Sequence, residues 1–362
     1  MDSGRPRSIR YAIVGTGLMG IEHIENIAHL DDASIVAVCD PDPNSLHAGA
    51  VAAAASGTSP ATFTDHRELL RWGGCDAIVI ASPNHTHVDI VMDALQYPVH
   101  LLIEKPLCTT VEDCHAVIAA AERGPAGRVV QVGLEYRFMP PTTALLAEVD
   151  SGSLGEVRMI AIREHRFPFL TKVGDWNRFN RFTGGTFVEK CCHFFDLMNL
   201  IMGEAPIRVM ASGGHDVNHL DEHYDAGRPD VFDNGFVIVD YPRGRRALLD
   251  LCMFAEGSRN QQEISVVGNL GKAEALVSEG VLRVGRRSDW TVKERQINTE
   301  GIAHVGLHHG SSYLEHVAFG HSIRAQRPPV VGLEEGLMAV AVGVAAHRSV
   351  ETGGPVMLEE VL

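Results

Sequence analysis

The chain has 362 residues, 45% hydrophobic and 21% charged, the composition of a soluble globular protein with length enough for two cores. Its 31 basic and 46 acidic side chains leave a formal charge of −15, which repels nucleic-acid phosphates and anionic membranes and excludes both as expected partners. No apolar run reaches membrane-spanning length, Met1–Arg10 lack the apolar core of a secretion signal, and the seven cysteines are odd in number without a Cys-x-x-Cys pair, so a cytoplasmic location with reduced thiols is expected.

From Ile9 a short strand runs into Gly15, Gly17 and Gly20, and Leu18, Ile21, Ile24 and Ile27 follow at helical spacing. In that context the glycine pattern predicts a phosphate-binding turn, with Thr16, Leu18 and Met19 completing it. Gly15 permits the bend, Gly17 lets the backbone approach a pyrophosphate, and Gly20 lets the helix lie against the strand. The helix start offers unpaired N–H groups to the phosphates. A second strand, Ser34 to Cys39, ends at Asp40, 20 residues beyond Gly20, where a carboxylate would hold an adenosine ribose. Pro41, Asp42, Pro43 and Asn44 follow, with no cation for a 2′-phosphate, so NAD is expected rather than NADP. Asp40 also suits a turn before proline, and the two roles are compatible.

The alternation continues with a helix over 44–55, a strand over 61–63, a helix capped by Thr64 or Asp65 and a strand over 77–81, which predicts a parallel, doubly wound sheet. The fourth strand ends in Ser82, Pro83, Asn84, His85, Thr86 and His87, polar groups at a carboxyl edge where a cofactor would pass. Asn84 suits a ribose or carboxamide, Thr86 a helix cap, and His87 a helix start. The fifth strand, Leu101 to Ile103, stops at Glu104-Lys105-Pro106. Pro106 fixes its own φ and holds Lys105 out of the helical region, so the strand ends in a rigid corner carrying one cation. Taken alone, a surface lysine neutralised by Glu104 is the simpler account. A Gly-Pro-Ala-Gly stretch at 124–127 then divides an expected first domain, 1–126, from a second, 127–362.

In the second part, Tyr136-Arg137-Phe138 precedes a strand over 157–167 in which Arg163 and His165 share one face and Arg166 takes the other. The loop 173–181, with Trp176 and Asn177, reads either as a substrate lip suited to sugar faces and hydroxyls or as an ordinary solvated loop. Gly184-Gly185 opens a helix predicted from Thr186 through Asp196, on which Glu189, His193 and Asp196 share one side. A histidine backed by a carboxylate is the kind of base that deprotonating a secondary alcohol requires. Thr186-x-x-Glu189 also reads as a capping box. Lys190 is a cation able to hold a substrate oxygen or to pair with Glu104 or Glu189. No metal is expected at Cys191-Cys192-His193, because adjacent cysteines on a helix diverge by about 100° and no second ligand pair stands at metal spacing. An antiparallel meander of strands is predicted after Pro206, interrupted by a polar loop at 214–230 that holds His215, His219 and His223. His308 and His309, with Tyr313, precede a helix capped by Ser311 or Ser312 and are candidates to close over a ligand; a packing helix over 333–349 follows.

The turn Gly15–Gly20, Asp40, Ser82–His87, Glu104-Lys105-Pro106, Tyr136-Arg137-Phe138 and Gly184-Gly185 ahead of His193-Phe194-Phe195-Asp196 together resemble the Gfo/Idh/MocA family of oxidoreductases. The resemblance spans the first two hundred residues and thins afterwards. It implies a Rossmann domain followed by an α+β domain on a large open, mostly antiparallel sheet, with homodimers or homotetramers assembled through that sheet. It also implies NAD-dependent oxidation of a secondary hydroxyl of a sugar, cyclitol, aminosugar or glycoside to a ketone, or the reverse. In that family the lysine of Glu-Lys-Pro lies beside the nicotinamide and touches the reacting hydroxyl. Inositol dehydrogenases carry Asp-x-x-x-His-x-x-Asp where this chain has Glu189, His193 and Asp196. The expected catalytic residues are therefore Lys105, His193 and Glu189. Tyr136, Arg163, His165, Trp176, Asn177, Lys190, Asp196 and His309 are expected at the substrate. Gly15, Thr16, Gly17, Leu18, Met19, Asp40, Ser82, Pro83, Asn84, His87, Glu104 and Lys105 are expected at NAD. Two other readings are a dinucleotide-sensing regulator without turnover, and an enzyme that uses NAD transiently to cleave a glycoside.

Overall fold

A computed structural model describes residues 8–55 and 57–362; of the stretch Met1–Arg10 read above for a secretion signal, residues 1–7 lie outside the described residues. The chain groups into two compact units. The first comprises Met1–Cys108, Glu112–Gly133 and Gly301–Glu334, and the second Thr109–Val111, Leu134–Glu300 and Glu335–Leu362.

The first stretch of chain alternates β1 (Ile9–Val14), α1 (Leu18–Ala28), β2 (Ala33–Cys39), α2 (Pro43–Ala55), β3 (Ala61–Phe63), α3 (His66–Trp72), β4 (Ala77–Ile80), α4 (His87–Ala94), β5 (His100–Glu104), α5 (Val111–Arg123) and β6 (Val130–Gly133). The six strands lie in the order β3-β2-β1-β4-β5-β6, all parallel, as the alternation predicts. Strands covered on both faces need apolar side chains throughout, and β4 and the end of β5 are buried at every position. Asp65, not Thr64, caps α3, accepting the Arg67 N–H at 2.8 Å. Thr86 does not cap α4; its hydroxyl turns back to the Pro83 carbonyl at 2.7 Å.

The second stretch runs α6 (Pro140–Asp150), β7 (Val157–His165), α7 (Asn180–Thr183), α8 (Thr186–Glu189), α9 (Cys192–Met202), β8 (Arg208–Gly214), β9 (Asn234–Tyr241), β10 (Arg245–Cys252), β11 (Gln262–Gly268), β12 (Gly271–Leu276), β13 (Val281–Arg286) and β14 (Val292–Gln296). It is followed by α10 (Ser311–Ala325), α11 (Leu333–Thr352) and β15 (Val356–Met357). Nine strands form one sheet in the order β14-β13-β12-β11-β7-β10-β9-β8-β15, parallel only where β7 meets β10. The expected α/β architecture, a parallel sheet and a large mostly antiparallel one, is the one observed. The strands β13 and β14 were not expected; Arg283, Arg286, Lys293, Glu294 and Arg295 break their alternation, and β14 is exposed along its length.

The helix α10 returns to the first unit, where Phe319 packs into a core with Tyr11, Ile13, Ile24 and Ile27. Gly310 precedes α10 in the left-handed region, and neither Ser311 nor Ser312 caps it; the Ser311 hydroxyl donates to the His308 carbonyl instead.

Candidate active site

In the first unit, the end of β1 turns sharply at Gly15, whose φ is +89°. A Cβ on Gly20 would stand 2.0 Å from the Gly15 carbonyl oxygen, so only glycine lets α1 start there. Around Gly17 there is open space, and α1 begins without a side-chain cap or an acidic residue in its first turn. The first N–H groups of that helix are thus left for an anion. Asp40 stands at the end of β2, its Oδ2 accepting the Thr16 N–H at 2.8 Å and its Oδ1 the Asp42 N–H at 2.9 Å. It serves both as a turn residue and as a carboxylate beside the glycine turn. These residues fit a dinucleotide, with Gly15–Gly17 and the start of α1 suited to its phosphates and Asp40 to its ribose. Replacing Asp40 by alanine removes an ionic acceptor worth about 1.5–3 kcal/mol. NAD affinity is expected to fall about tenfold or more and the preference over NADP to narrow, read by titrating each nucleotide.

Ser82 abuts the turn, since a Cβ on Gly15 would lie 2.5 Å from its nitrogen. Pro83 follows it, half-buried, and Asn84 is buried at the same edge. Leu18 is exposed and Met19 half-buried at the start of α1. His87 is fully buried, its ring nitrogens 2.9 Å from the Pro106 carbonyl and 3.0 Å from that of Ser82. The ring ties two strand ends together. The Glu104 carboxylate is buried against His23 Nε2 at 2.8 Å and accepts the Lys105 N–H at 3.1 Å. Burial raises that carboxyl, but the His23 hydrogen bond and the nearby cations outweigh burial and bring it down to about 2. Lys105 is half-buried at the carboxyl end of β5. His309 belongs to the loop before α10, with φ +56°. That loop is fastened to α1 by Glu22, whose Oε1 accepts the Leu307 N–H at 3.1 Å.

In the second unit the single helix expected from Thr186 to Asp196 is two. The turn opens after Glu189, where the N–H groups of both Lys190 and Cys191 reach the Thr186 carbonyl, and α9 restarts at Cys192. Glu189 therefore does not share a helix with His193 and Asp196. Nor does it close a capping box: Thr186 donates its hydroxyl to the Phe232 carbonyl at 2.6 Å, and Glu189 stands 3.8 Å from Lys172.

His193 is buried on the first turn of α9, its ring stacked on Tyr136 at 4.1 Å between centroids and 9° between planes. The Tyr136 hydroxyl accepts from Lys190 Nζ at 2.7 Å, and Lys190 Nζ lies 3.0 Å from Glu164 on β7. Burial pushes the Tyr136 phenol well above its ordinary value, so it stays protonated. The Lys190 ammonium is thus held by Glu164 and Tyr136. Sequence reasoning passed over Glu164. The available signal was its even spacing from Ile160 and Ile162, which puts an acid on the buried face of β7.

That alternation also places Arg163 and His165. They lie on the opposite face of β7, where Arg163 pairs with Glu263 of β11 and His165 with Asp250 of β10 at 3.0 Å. Asp196 is paired with Arg137, whose Nε donates to its Oδ2 at 2.6 Å and Nη2 to its Oδ1, inside the protein. Burial lifts the Asp196 carboxyl, and the guanidinium opposes that rise. Asn177 is buried and braces its loop through the Leu170 carbonyl at 2.9 Å. Trp176 is half-buried beneath the Lys172 ammonium, 4.7 Å from its ring centroid. Lys172, also missed from the sequence, thereby joins the Trp176 loop to Glu189. In the polar loop His215 bonds the Asn218 carbonyl and His219 the Glu222 carboxylate.

Comparisons with known proteins agree with this architecture. Residues 9–134 match the NAD-binding Rossmann fold of the Gfo/Idh/MocA oxidoreductase family, and residues 147–358 match its C-terminal alpha/beta domain. Myo-inositol 2-dehydrogenase of Thermotoga maritima is 26% identical over 359 residues, covering 98% of this chain and all of that protein. The NAD-dependent scyllo-inositol 2-dehydrogenase of Bacillus subtilis is 25% identical, covering 97% of this chain and 96% of its own. A probable dehydrogenase from Thermotoga maritima superposes with a TM-score of 0.78 at 26% identity, covering 98% of this chain and 100% of the other. Levoglucosan dehydrogenase bound to NADH and levoglucosan shares the fold at 18% identity, with a TM-score of 0.83 over 97% of this chain and 99% of its own. No helix among the described residues is long and apolar enough to cross a membrane. With a glycine turn and carboxylate that fit NAD, and with both halves of the chain matched, the protein belongs to the Gfo/Idh/MocA family of NAD-dependent oxidoreductases.

Proposed function

We propose that the enzyme oxidises a secondary hydroxyl of a sugar, cyclitol, aminosugar or glycoside to a ketone, or runs the reverse reduction. The observation that carries this reading is the buried Lys190–Glu164 pair that clamps the Tyr136 hydroxyl and so fixes the ring on which His193 stacks. An imidazole held in one plane is prepared to take or return a proton in a single direction. When bound, NAD supplies the acceptor for the substrate's hydride. Lys105 orients and polarises the reacting oxygen, His193 exchanges its proton, and Glu189, bridged through Lys172 to the Trp176 loop, grips a neighbouring hydroxyl. Residues 1–126 serve the cofactor and 127–362 the substrate and self-association, apart from the returning segment 301–334. Met159, Met210, Phe236 and Ile238 stand exposed on one face of the nine-stranded sheet, which suits a homodimer or homotetramer.

The test is a panel of inositols, sugars and glycosides followed by the absorbance of reduced nicotinamide. Ketone and NADH formed together support the reading. Free sugar released without net NADH would mark a glycoside-cleaving enzyme, and NAD binding without turnover on any substrate a regulator. Replacing His193 by asparagine should lower kcat about 100-fold, with NAD affinity nearly unchanged; the checks are steady-state kinetics and nucleotide titration.

A further inference from the structure

A cavity of about 230 Å³ opens beside β1 in the first unit, lined by Tyr11, Asp32 and Ala33 and by His316, Gly320 and Arg324 of α10. The Tyr11 hydroxyl, Nδ1 of His316 and Nε of Arg324 are buried at this wall and have no protein partner. Three such atoms around one space of this volume suit ordered water, each molecule of which fills about 30 Å³.

From His316 a line of hydrogen bonds runs inward. Its Nε2 lies 2.8 Å from His23 Nδ1 on α1, and His23 Nε2 lies 2.8 Å from Glu104 Oε1. The other Glu104 oxygen accepts the backbone N–H of Lys105. His23, Glu104 and His316 are all buried. A carboxylate only accepts, so His23 Nε2 carries the hydrogen between them. Nδ1 of a neutral His23 is then bare and takes its hydrogen bond from His316 Nε2–H. His316 in turn presents a bare Nδ1 to the cavity, where water can donate. Burial holds His316 neutral, well below the usual imidazole range. The charged and titratable groups facing Glu104 are His23 of α1, Lys105 beside it and His308 of the loop before α10.

We infer that His23 and His316 are positioning residues for Lys105, forming a directed line from the cavity that fixes the Glu104 carboxylate beside the lysine. This rests on the role given to Lys105 above, so one arm of the test is independent of turnover. In cofactor-free protein carrying 15N-histidine, long-range 1H–15N spectra near neutral pH should show both rings as neutral Nε2–H tautomers; an Nδ1–H tautomer at either ring overturns the line. With 13C-labelled carboxylates, the Glu104 midpoint should rise by about one unit or more in His316→Phe, because the bond that opposes burial is weakened. It should stay near wild type in His316→Gln, whose amide can still donate to His23. A midpoint unmoved in His316→Phe overturns the inference even if no substrate is ever turned over. Where substrate is available, His316→Phe should lower kcat about tenfold and shift the acid limb of kcat/KM to higher pH, with NAD affinity unchanged and His316→Gln recovering most of the rate. Equal losses in both variants with an unmoved acid limb would mean structural packing alone and would also overturn it.

Discussion

Lys105→Ala is expected to lower kcat about 1,000-fold while NAD affinity stays close to wild type. The lysine follows the last residue of β5 and is held between a buried Glu104 and Pro106, so its ammonium leaves the sheet from a fixed corner. A charge placed in advance where negative charge develops on oxygen is lost outright when the side chain is cut, since no water occupies the same point with the same sign. Lys190 cannot stand in, because Glu164 and Tyr136 already hold its ammonium. The dinucleotide turn depends on Gly15, Gly20 and Asp40, none of which draws on Lys105. Steady-state kinetics paired with calorimetric titration of NAD separates the two quantities. Near-normal turnover would remove the lysine from the chemistry.

Arg137→Ala should be the most damaging change to stability in the second unit, at about 3–5 kcal/mol. Both oxygens of Asp196 are bonded to the guanidinium, and its side chain is 2% exposed. Removing the arginine leaves a carboxylate without counter-charge where burial already raises its pKa. The variant can relieve that strain by protonating Asp196, so its deficit should be largest at alkaline pH and shrink as pH falls through the raised value. The melting transition of the second unit should drop by about 10 °C, measured at a neutral and a mildly acidic pH. Pairing Arg137→Met with Asp196→Leu should recover most of the loss, since an apolar pair of similar size needs no compensation. Persistence of the full deficit in that double variant would show that packing, not the charge, had been lost.

The first unit was legible because its constraints are local. Parallel strands covered on both faces are apolar runs, and the turn after β1 admits glycine alone at Gly15 and Gly20, five residues apart. The second unit was legible in outline, but one helix was expected from Thr186 to Asp196 where there are two. From Thr186 to Asp196 the residues keep a helical period, and the break after Glu189 coincides with Lys190 reaching Glu164, 26 positions away in sequence. The Arg137–Asp196 pair spans 59 positions, so no local pattern could distinguish a buried structural carboxylate from one exposed to substrate. Alternation along β7 correctly grouped Arg163 with His165. Which face was inner was settled by Glu164, an acid turned inward because a buried lysine waits there. Each of these side chains has a partner far away in sequence, which is why no local pattern could place it.

The return of residues 301–334 to the first unit has a consequence for biosynthesis. The parallel sheet is translated complete by Gly133, but Phe319, which closes its core, and Val331, whose carbonyl receives the Val132 N–H at 3.1 Å, leave the ribosome only after β7 to β14, eight of the nine strands of the second sheet. A nascent chain halted anywhere between would expose Tyr11 and Ile24 to water. Glu104 would lack the outer half of its support. The corner that carries Lys105 is therefore finished among the last acts of synthesis, and a fragment ending at the first family boundary, residue 134, should emerge as a chaperone client instead of a free-standing cofactor domain.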